Sequence, residues 1–379
     1  MSKILETLKN YKYKYYNIRL LFWVCVLTIL GIFVIASATD SNVYEKKQIL
    51  GFSMGLFIVF VASLVSYKFL LKFYWIFYLL NLVLLIWVKV AGAYRMGATR
   101  WIDLGFFQLQ PSEFTKILLL LFFAKFLYNR KDRINTVSTI FSSLLLFIIP
   151  LLLVLKQPDL STSIIICVTF CGILFIAGLS YKIIGGTLAV VIPVAVILVY
   201  LIMQPDQHII ESYQLDRIIG FYDENSEVAD RIRYQQENSI MAIGSGGLKG
   251  KGLNNNTTTS VKNGKYISEP QTDFIFCIVG EELGFIGTSA VIILLFLIIM
   301  ECFYTGAHAP DLAGRIISCG YGVLITIQSF VNIAVVTMLI PNTGLPLPFV
   351  SYGLSSLISL YAGLGVILNI SLQRKEIQL

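Results

Sequence analysis

Ten stretches of this chain run for about twenty residues each with few charges, the length an α-helix needs to cross the hydrocarbon core of a bilayer. They fall at 18–38, 48–66, 69–90, 112–129, 137–156, 160–179, 183–203, 274–303, 315–338 and 351–371. Strands of a membrane barrel would alternate apolar and polar residues, and these runs do not. Of 379 residues, 56% are apolar or aromatic and 13% are charged, with a mean hydropathy of +0.77. An ordinary soluble domain is about 25% charged. That much apolar surface cannot be hidden from water by a chain this size, which excludes a disordered chain, a disulfide-rich secreted domain and an ordinary cytosolic enzyme. The expected fold class is an all-α polytopic membrane protein. Residues 1–379 are expected to form one membrane domain with ten transmembrane helices and a large extracellular loop at about 204–273, between helices seven and eight. The first run is of full spanning length and carries no small-residue cleavage site, so no cleavable signal peptide is expected.

Lys and Arg set the orientation, because they collect in short cytoplasmic loops. With the N-terminus inside, the inner segments hold 14 of them, from Lys3 to Lys375, and the short outer segments hold 6: Lys46, Lys47, Lys89, Arg95, Arg100 and Lys156. Both termini are therefore expected in the cytoplasm, and the loops at 91–111, 204–273 and 339–350 outside. The net charge of +7 belongs to this pattern. No basic block is long enough for a nucleic-acid footprint, and there is no P-loop. The six Cys lie in or beside apolar runs without a Cys-x-x-Cys pair, and the two His are far apart, so a histidine-rich metal site is not expected.

A loop as long as 204–273 is usually functional or disordered. Within it Ala229, Ile232, Gln236, Ile240 and Ile243 recur at helical spacing, as in a helix lying on the membrane surface. The run Gly244-Ser245-Gly246-Gly247-Leu248-Lys249-Gly250-Lys251-Gly252 follows. Its backbone amides with Lys249 and Lys251 make an anion cradle on one reading and a flexible hinge on the other.

Ionisable groups within spans are costly, so each is a functional candidate. Arg100 leads into Pro111, Glu113 and Lys116, the last two on one helical face and able to satisfy each other. Asp159, in Lys156-Gln157-Pro158-Asp159, is a candidate that is also suited to capping the next helix. Asp273 enters the eighth span and fits either a cap or a reactive carboxylate. Glu281 and Glu282 follow two turns deeper, where they are expected to line the bundle interior.

Taken in order, GATRWIDLG (97–105), QPSEFTK (110–116), KQPDLST (156–162), ENSIMAIGSGGLKGKGL (237–253), EPQTDFIFCIVGEELGFIG (269–287) and PNTGLPLPFVSYGLSS (341–356) resemble the SEDS family of cell-wall proteins, which includes RodA, FtsW and SpoVE. KQPDL and GLPLPF resemble the RodA branch more than the FtsW branch. Two positions depart from the family pattern. Ser161 stands where Gly is usual, and Leu354 interrupts the usual SYGGSS, which puts helix packing near the outer mouth in question.

The resemblance implies a peptidoglycan glycosyltransferase that polymerises lipid II, with Asp273 as the essential carboxylate. Arg100, Glu113, Lys116 and Asp159 match the other functional positions, and a class B penicillin-binding protein is the implied partner. A sugar hydroxyl needs a carboxylate base, and a lipid pyrophosphate leaving group needs Lys, Arg or a divalent cation such as Mg or Mn. No ligand cluster marks a metal site. The expected role is cell elongation and rod shape at the cytoplasmic membrane. An FtsW-type division or sporulation role, a lipid II flippase and a scaffold remain as alternatives.

Overall fold

The computed structural model describes residues 11–186 and 229–374 apart from 40, 96–97, 104, 106–107, 158, 255–263 and 265, together with positions 189, 193 and 221; at 93–99 and 229–232 it describes backbone alone. The expected seventh span, 183–203, and the first part of the long loop lie almost wholly outside the described residues. The helices are α1 Ile18–Ala38, α2 Asn42–Leu64, α3 Tyr74–Ala91, α4 Pro111–Tyr128, α5 Val137–Leu155, α6 Leu160–Ala177, α7 Ala229–Gly246, α8 Ile275–Ala307, α9 Leu312–Val336 and α10 Leu354–Leu372. Among the described residues, eight helical segments are long and apolar enough to cross a membrane. Helix α4 has 18 residues but carries Glu113, Lys116 and Lys125.

Most boundaries follow the apolar runs. Helix α2 starts well before 48, because the Ser41 hydroxyl accepts from Val43 N at 3.3 Å and caps it there. The 91–111 connection is an antiparallel ribbon of β1 Ala93–Arg95, β2 Ala98–Asp103 and β3 Gln108–Leu109. The chain is a multi-pass membrane protein, and its described residues are mostly helical with almost no strand.

Helix α10 is the centre of the bundle, with 89% of its apolar window buried. Helix α4 is buried along nearly its whole length. The peripheral helices turn Phe33, Phe57, Phe60, Val83 and Phe141 outward. In water this would be a large exposed apolar patch; in a bilayer it is the lipid face. Between α2 and α10 the packing relies on small residues, as expected where lipid removes the hydrophobic drive for association. A Cβ on Gly51 would lie 2.8 Å from Leu354 Cδ2, and one on Gly55 2.8 Å from the Tyr361 ring. Leu354 therefore has a seat: the missing side chain at Gly51 accommodates it.

The two ends of the bundle differ. At one, Lys12 N donates to Leu372 O at 3.0 Å, and Tyr67 donates to Asp311 Oδ2 at 2.9 Å. Both described ends of the chain thus share one face. The opposite end gathers the ribbon, the α5–α6 turn, the head of α8 and residues 337–353.

Helix α8 is broken near that second end. Gly284 has φ 63° and ψ −159°, which interrupts the helical ladder. The Gly-rich run repairs the break with backbone. Lys251 N and Gly252 N donate to Glu281 O and Glu282 O, both at 2.9 Å, while Phe285 N and Ile286 N donate to Gly247 O and Leu248 O at 2.9 and 3.2 Å. Such contact needs glycine: a Cβ on Gly250, at φ +78°, would meet Glu282 O at 2.1 Å. The run is a splint on a broken helix, because unpaired backbone near hydrocarbon is too costly to leave.

Helix α7 also differs from expectation. Gln236, Asn238, Ser239 and Ala242 are buried, whereas Ile240 is 43% exposed. Gln236 Nε2 donates to Val335 O and Ile340 O at 2.7 and 2.9 Å, and Ser239 Oγ to Val336 O at 2.8 Å. The helix docks its polar face on the end of α9, adding donors to carbonyls at and just beyond that helix's C-terminus.

Gly250→Ala should lower stability by ~1–3 kcal/mol, since backbone must move to admit the methyl. Gly244→Ala, in α7 with nothing within 4 Å of the added Cβ, should leave stability unchanged or raise it by ~0.5–1 kcal/mol. Thermal unfolding in detergent reads both; equal effects would contradict the splint.

Candidate active site

Asp273 stands just before α8, which begins at Ile275 with Phe274 in the capping position and no side-chain cap. Of the two sequence readings, the N-cap is not its position. Its main chain is clamped. Asn332 Nδ2, on α9, donates to Asp273 O at 2.8 Å and to Leu345 O at 2.6 Å. Two residues earlier, Gln271 O accepts from Tyr352 N at 2.8 Å. The Asp273 side chain is half-buried and faces Gly344, where an added Cβ would lie 3.3 Å from Asp273 Oδ2. A fixed main chain and a neighbour with no side chain are two conditions a reactive carboxylate needs.

The segment facing Asp273, residues 341–353, is held from several helices. Lys116 and Glu113 form an ion pair at 2.8 Å with both side chains at most 3% exposed. Lys116 Nζ also donates to Gln328 Oε1 at 2.9 Å, and Gln328 Nε2 donates onward to Pro346 O at 3.0 Å. The charged pair on α4 is thereby wired to the segment opposite Asp273. Removing one member of such a desolvated pair costs about 3–5 kcal/mol.

The N-terminus of α6 holds the other side. Asp159 Oδ1 accepts from Thr162 N at 3.2 Å and Oδ2 from Ser112 Oγ at 3.1 Å, so Asp159 caps α6 and ties it to the start of α4. The Ser161 hydroxyl donates to Thr343 O, next to Gly344. The residue that departs from the family pattern is thus a tie to the Asp273-facing segment. Arg100 Nε donates to Gln157 O at 3.0 Å, which fastens the ribbon to the α5–α6 turn. Gln48 Nε2 donates to Ser351 O at 3.1 Å from α2. Burial, with Tyr44 and Glu269 nearby, raises the Tyr352 hydroxyl above its ordinary range, so it is neutral at physiological pH.

Of the sequence candidates, Glu113 and Lys116 connect through Gln328, and Asp159 through the start of α6, to the segment facing Asp273, while Arg100 fastens the ribbon to the adjoining α5–α6 turn. Lys249 and Lys251 lie instead in the Gly-rich run. Lys249 is exposed, and Lys251 Nζ pairs with Glu281 Oε1 at 2.7 Å beside the α8 break. Glu281 and Glu282 are buried in the interior. Glu282 Oε1 accepts from Ser37 of α1, whose oxygen accepts from Asn254 N at 2.8 Å.

Gln328 and Asn332, which connect the pair and the carboxylate to the 341–353 segment, were missed. They are neutral amides, so a search for ionisable groups passes over them. Their spacing of four on an apolar helix was the available signal. Among the described residues, no group of three or more His, Cys, Asp or Glu is placed to hold a metal ion.

The FtsW/RodA/SpoVE family of cell cycle proteins matches residues 15–376. The peptidoglycan glycosyltransferase MrdB of Escherichia coli strain K12 is 36% identical over 340 residues, covering 90% of this chain and 88% of that protein. The probable peptidoglycan glycosyltransferase FtsW of Trichlorobacter lovleyi is 35% identical, covering 96% and 95%. Among solved structures, a chain of a peptidoglycan synthase complex that coordinates polymerization and crosslinking superposes with a TM-score of 0.77 at 28% identity, covering 94% of this chain and 97% of that one. The rod shape determining protein RodA of Thermus thermophilus gives 0.70 at 27% identity, covering 95% and 98%. The ordered motifs, the helical bundle and these matches agree: the chain belongs to the FtsW/RodA/SpoVE family, the SEDS proteins, and with it to the peptidoglycan glycosyltransferases.

Proposed function

We propose that this peptidoglycan glycosyltransferase polymerises lipid II at the outer face of the cytoplasmic membrane, with Asp273 as the general base. The observation that carries the reading is the clamped Asp273 main chain with Gly344 opposite its carboxylate. Asp273 takes the proton of the acceptor's GlcNAc 4-hydroxyl. The oxygen attacks the donor's MurNAc C1, the C1–O bond to the pyrophosphate breaks, and undecaprenyl pyrophosphate leaves with inversion at C1. The carboxylate acts within ~3 Å of the hydroxyl or through one water.

Arg100, at the ribbon end that meets the α5–α6 turn, would supply positive charge to the anionic leaving group. Glu113, Lys116 and Asp159 hold the frame. Lys249 and Lys251 belong to the α8 splint rather than to substrate binding. A Mg or Mn ion would neutralise charge developing on the pyrophosphate, and Asp273 would be the carboxylate to hold it. The Lys and Arg distribution supports cytoplasmic termini, so the end carrying Asp273 faces outward. KQPDL and GLPLPF support an elongation and rod-shape role. A class B penicillin-binding protein, acting as transpeptidase, would receive the glycan.

Asp273→Asn should lower polymerisation of lipid II by the purified protein by about 10²–10⁴-fold, the usual worth of a general base, with folding intact. Full activity of this variant would remove the assignment. A flippase or scaffold would still make no glycan as purified wild-type protein, and product chains on a gel decide between the classes.

Lys116→Met should destabilise by ~3–5 kcal/mol, read by thermal unfolding. The double exchange Glu113→Lys with Lys116→Glu should recover most of that stability yet leave polymerisation impaired. A carboxylate in place of the Lys116 ammonium would have to accept from the Gln328 amide that now donates to Pro346. Full recovery of polymerisation would show that the pair acts independently of the 341–353 segment.

A further inference from the structure

A cavity with polar walls lies at the end of the bundle away from Asp273, where the described N- and C-terminal segments meet. It has a volume of about 480 Å³ between the start of α1 and the ends of α8 and α10. That falls within the roughly 300–1,000 Å³ of small-molecule sites. None of its residues belongs to the Asp273 site.

Among the described residues, Lys14, Arg19 and Arg374 line it and Glu301 stands beside it. Glu301 is already engaged by Arg19 at 3.2 Å and by Asn17 Nδ2 at 3.0 Å. Two tyrosines hold Arg374 in place: its guanidinium lies 5.2 Å from the Tyr15 ring centroid and 5.4 Å from that of Tyr304. Arg374 also donates to the Tyr304 hydroxyl at 3.0 Å. Guanidinium groups fixed by aromatic faces lose little freedom when they take up a phosphate.

The depth of the cavity identifies the ligand class. Asn17 caps α1 by accepting from Leu20 N at 3.1 Å, so the cavity lies where a spanning helix begins. On the lipid side Ile18 and Phe22 are 66% and 54% exposed one turn apart on α1, and Tyr304 and Met300 are 42% and 49% exposed one turn apart on α8. Apolar surface thus continues from the cavity's rim along the bundle toward the hydrocarbon. A headgroup seated on the cations would have its acyl chains beside this lipid-facing surface, which a soluble anion does not use. We propose that this cavity binds the phosphate of an anionic phospholipid headgroup from the adjoining leaflet, with the acyl chains lying along α1 and α8. Basic pockets between helix ends at a membrane face are suited to such headgroups.

The test is native mass spectrometry of the full-length, detergent-purified protein with phosphatidylglycerol, with phosphatidylcholine, and with phosphatidylglycerol plus millimolar inorganic phosphate. Wild-type protein should retain phosphatidylglycerol well above phosphatidylcholine, and inorganic phosphate should not displace it. The Arg19→Gln/Arg374→Gln variant should bind phosphatidylglycerol about 25-fold more weakly, about fivefold for each cation removed. Should that variant fail to fold, Lys14→Gln, on an exposed side chain, carries the test with an expected loss of about fivefold. Equal retention of the two lipids, undiminished binding by the folded variant, or displacement by inorganic phosphate would each overturn the proposal.

Discussion

Backbone amides and carbonyls near hydrocarbon must find their partners inside the protein, because each one left unpaired costs several kcal/mol. At the end of this bundle that carries Asp273, three of the departures from regular helix among the described residues are each repaired by a different device. The break at Gly284 is bridged by the main chain of the Gly-rich run. The last carbonyls of α9 accept from Gln236 and Ser239 of α7. The irregular 341–353 segment is tied down by side chains: Gln328 on Pro346, Asn332 on Leu345, Ser161 on Thr343 and Gln48 on Ser351.

These repairs build the site. Asn332 serves the irregular segment and the Asp273 carbonyl with one amide, so the clamp that satisfies backbone also positions the carboxylate. Gln328 ties the segment to a buried ion pair that cannot be broken cheaply. The result is a half-buried carboxylate on a rigid support, which is what proton abstraction from a poorly acidic hydroxyl requires. A flexible loop would present the same carboxylate with far less control of its geometry.

How far the sequence reveals this depends on the kind of interaction. Apolar runs located most helix boundaries to within a few residues, because in lipid the requirement is length and apolarity alone. Scarce charge made Arg100, Glu113, Lys116, Asp159 and Asp273 conspicuous. The break in α8 was not legible, since a glycine in an apolar run reads as ordinary helix until its backbone angles are known. The splint was hidden for a related reason: that Gly246 and Gly250 serve close approach to the backbone of α8 shows only in the fold. The ribbon at 93–109 was hidden by its shortness, and α7 by a buried face that is polar. Gln328 and Asn332 were overlooked because neutral amides inside a span look like minor exceptions, yet they carry the connections.

The central claim is that the residue at 273 meets the acceptor hydroxyl while the 341–353 segment stays in place. Its most direct test is a structure of the Asp273→Asn protein with lipid II bound. The account predicts the GlcNAc 4-hydroxyl within ~3 Å of the side chain at 273, or joined to it by one water, with Asn332 still bridging residues 273 and 345. An acceptor hydroxyl seated instead against Asp159 or Glu281 would contradict it.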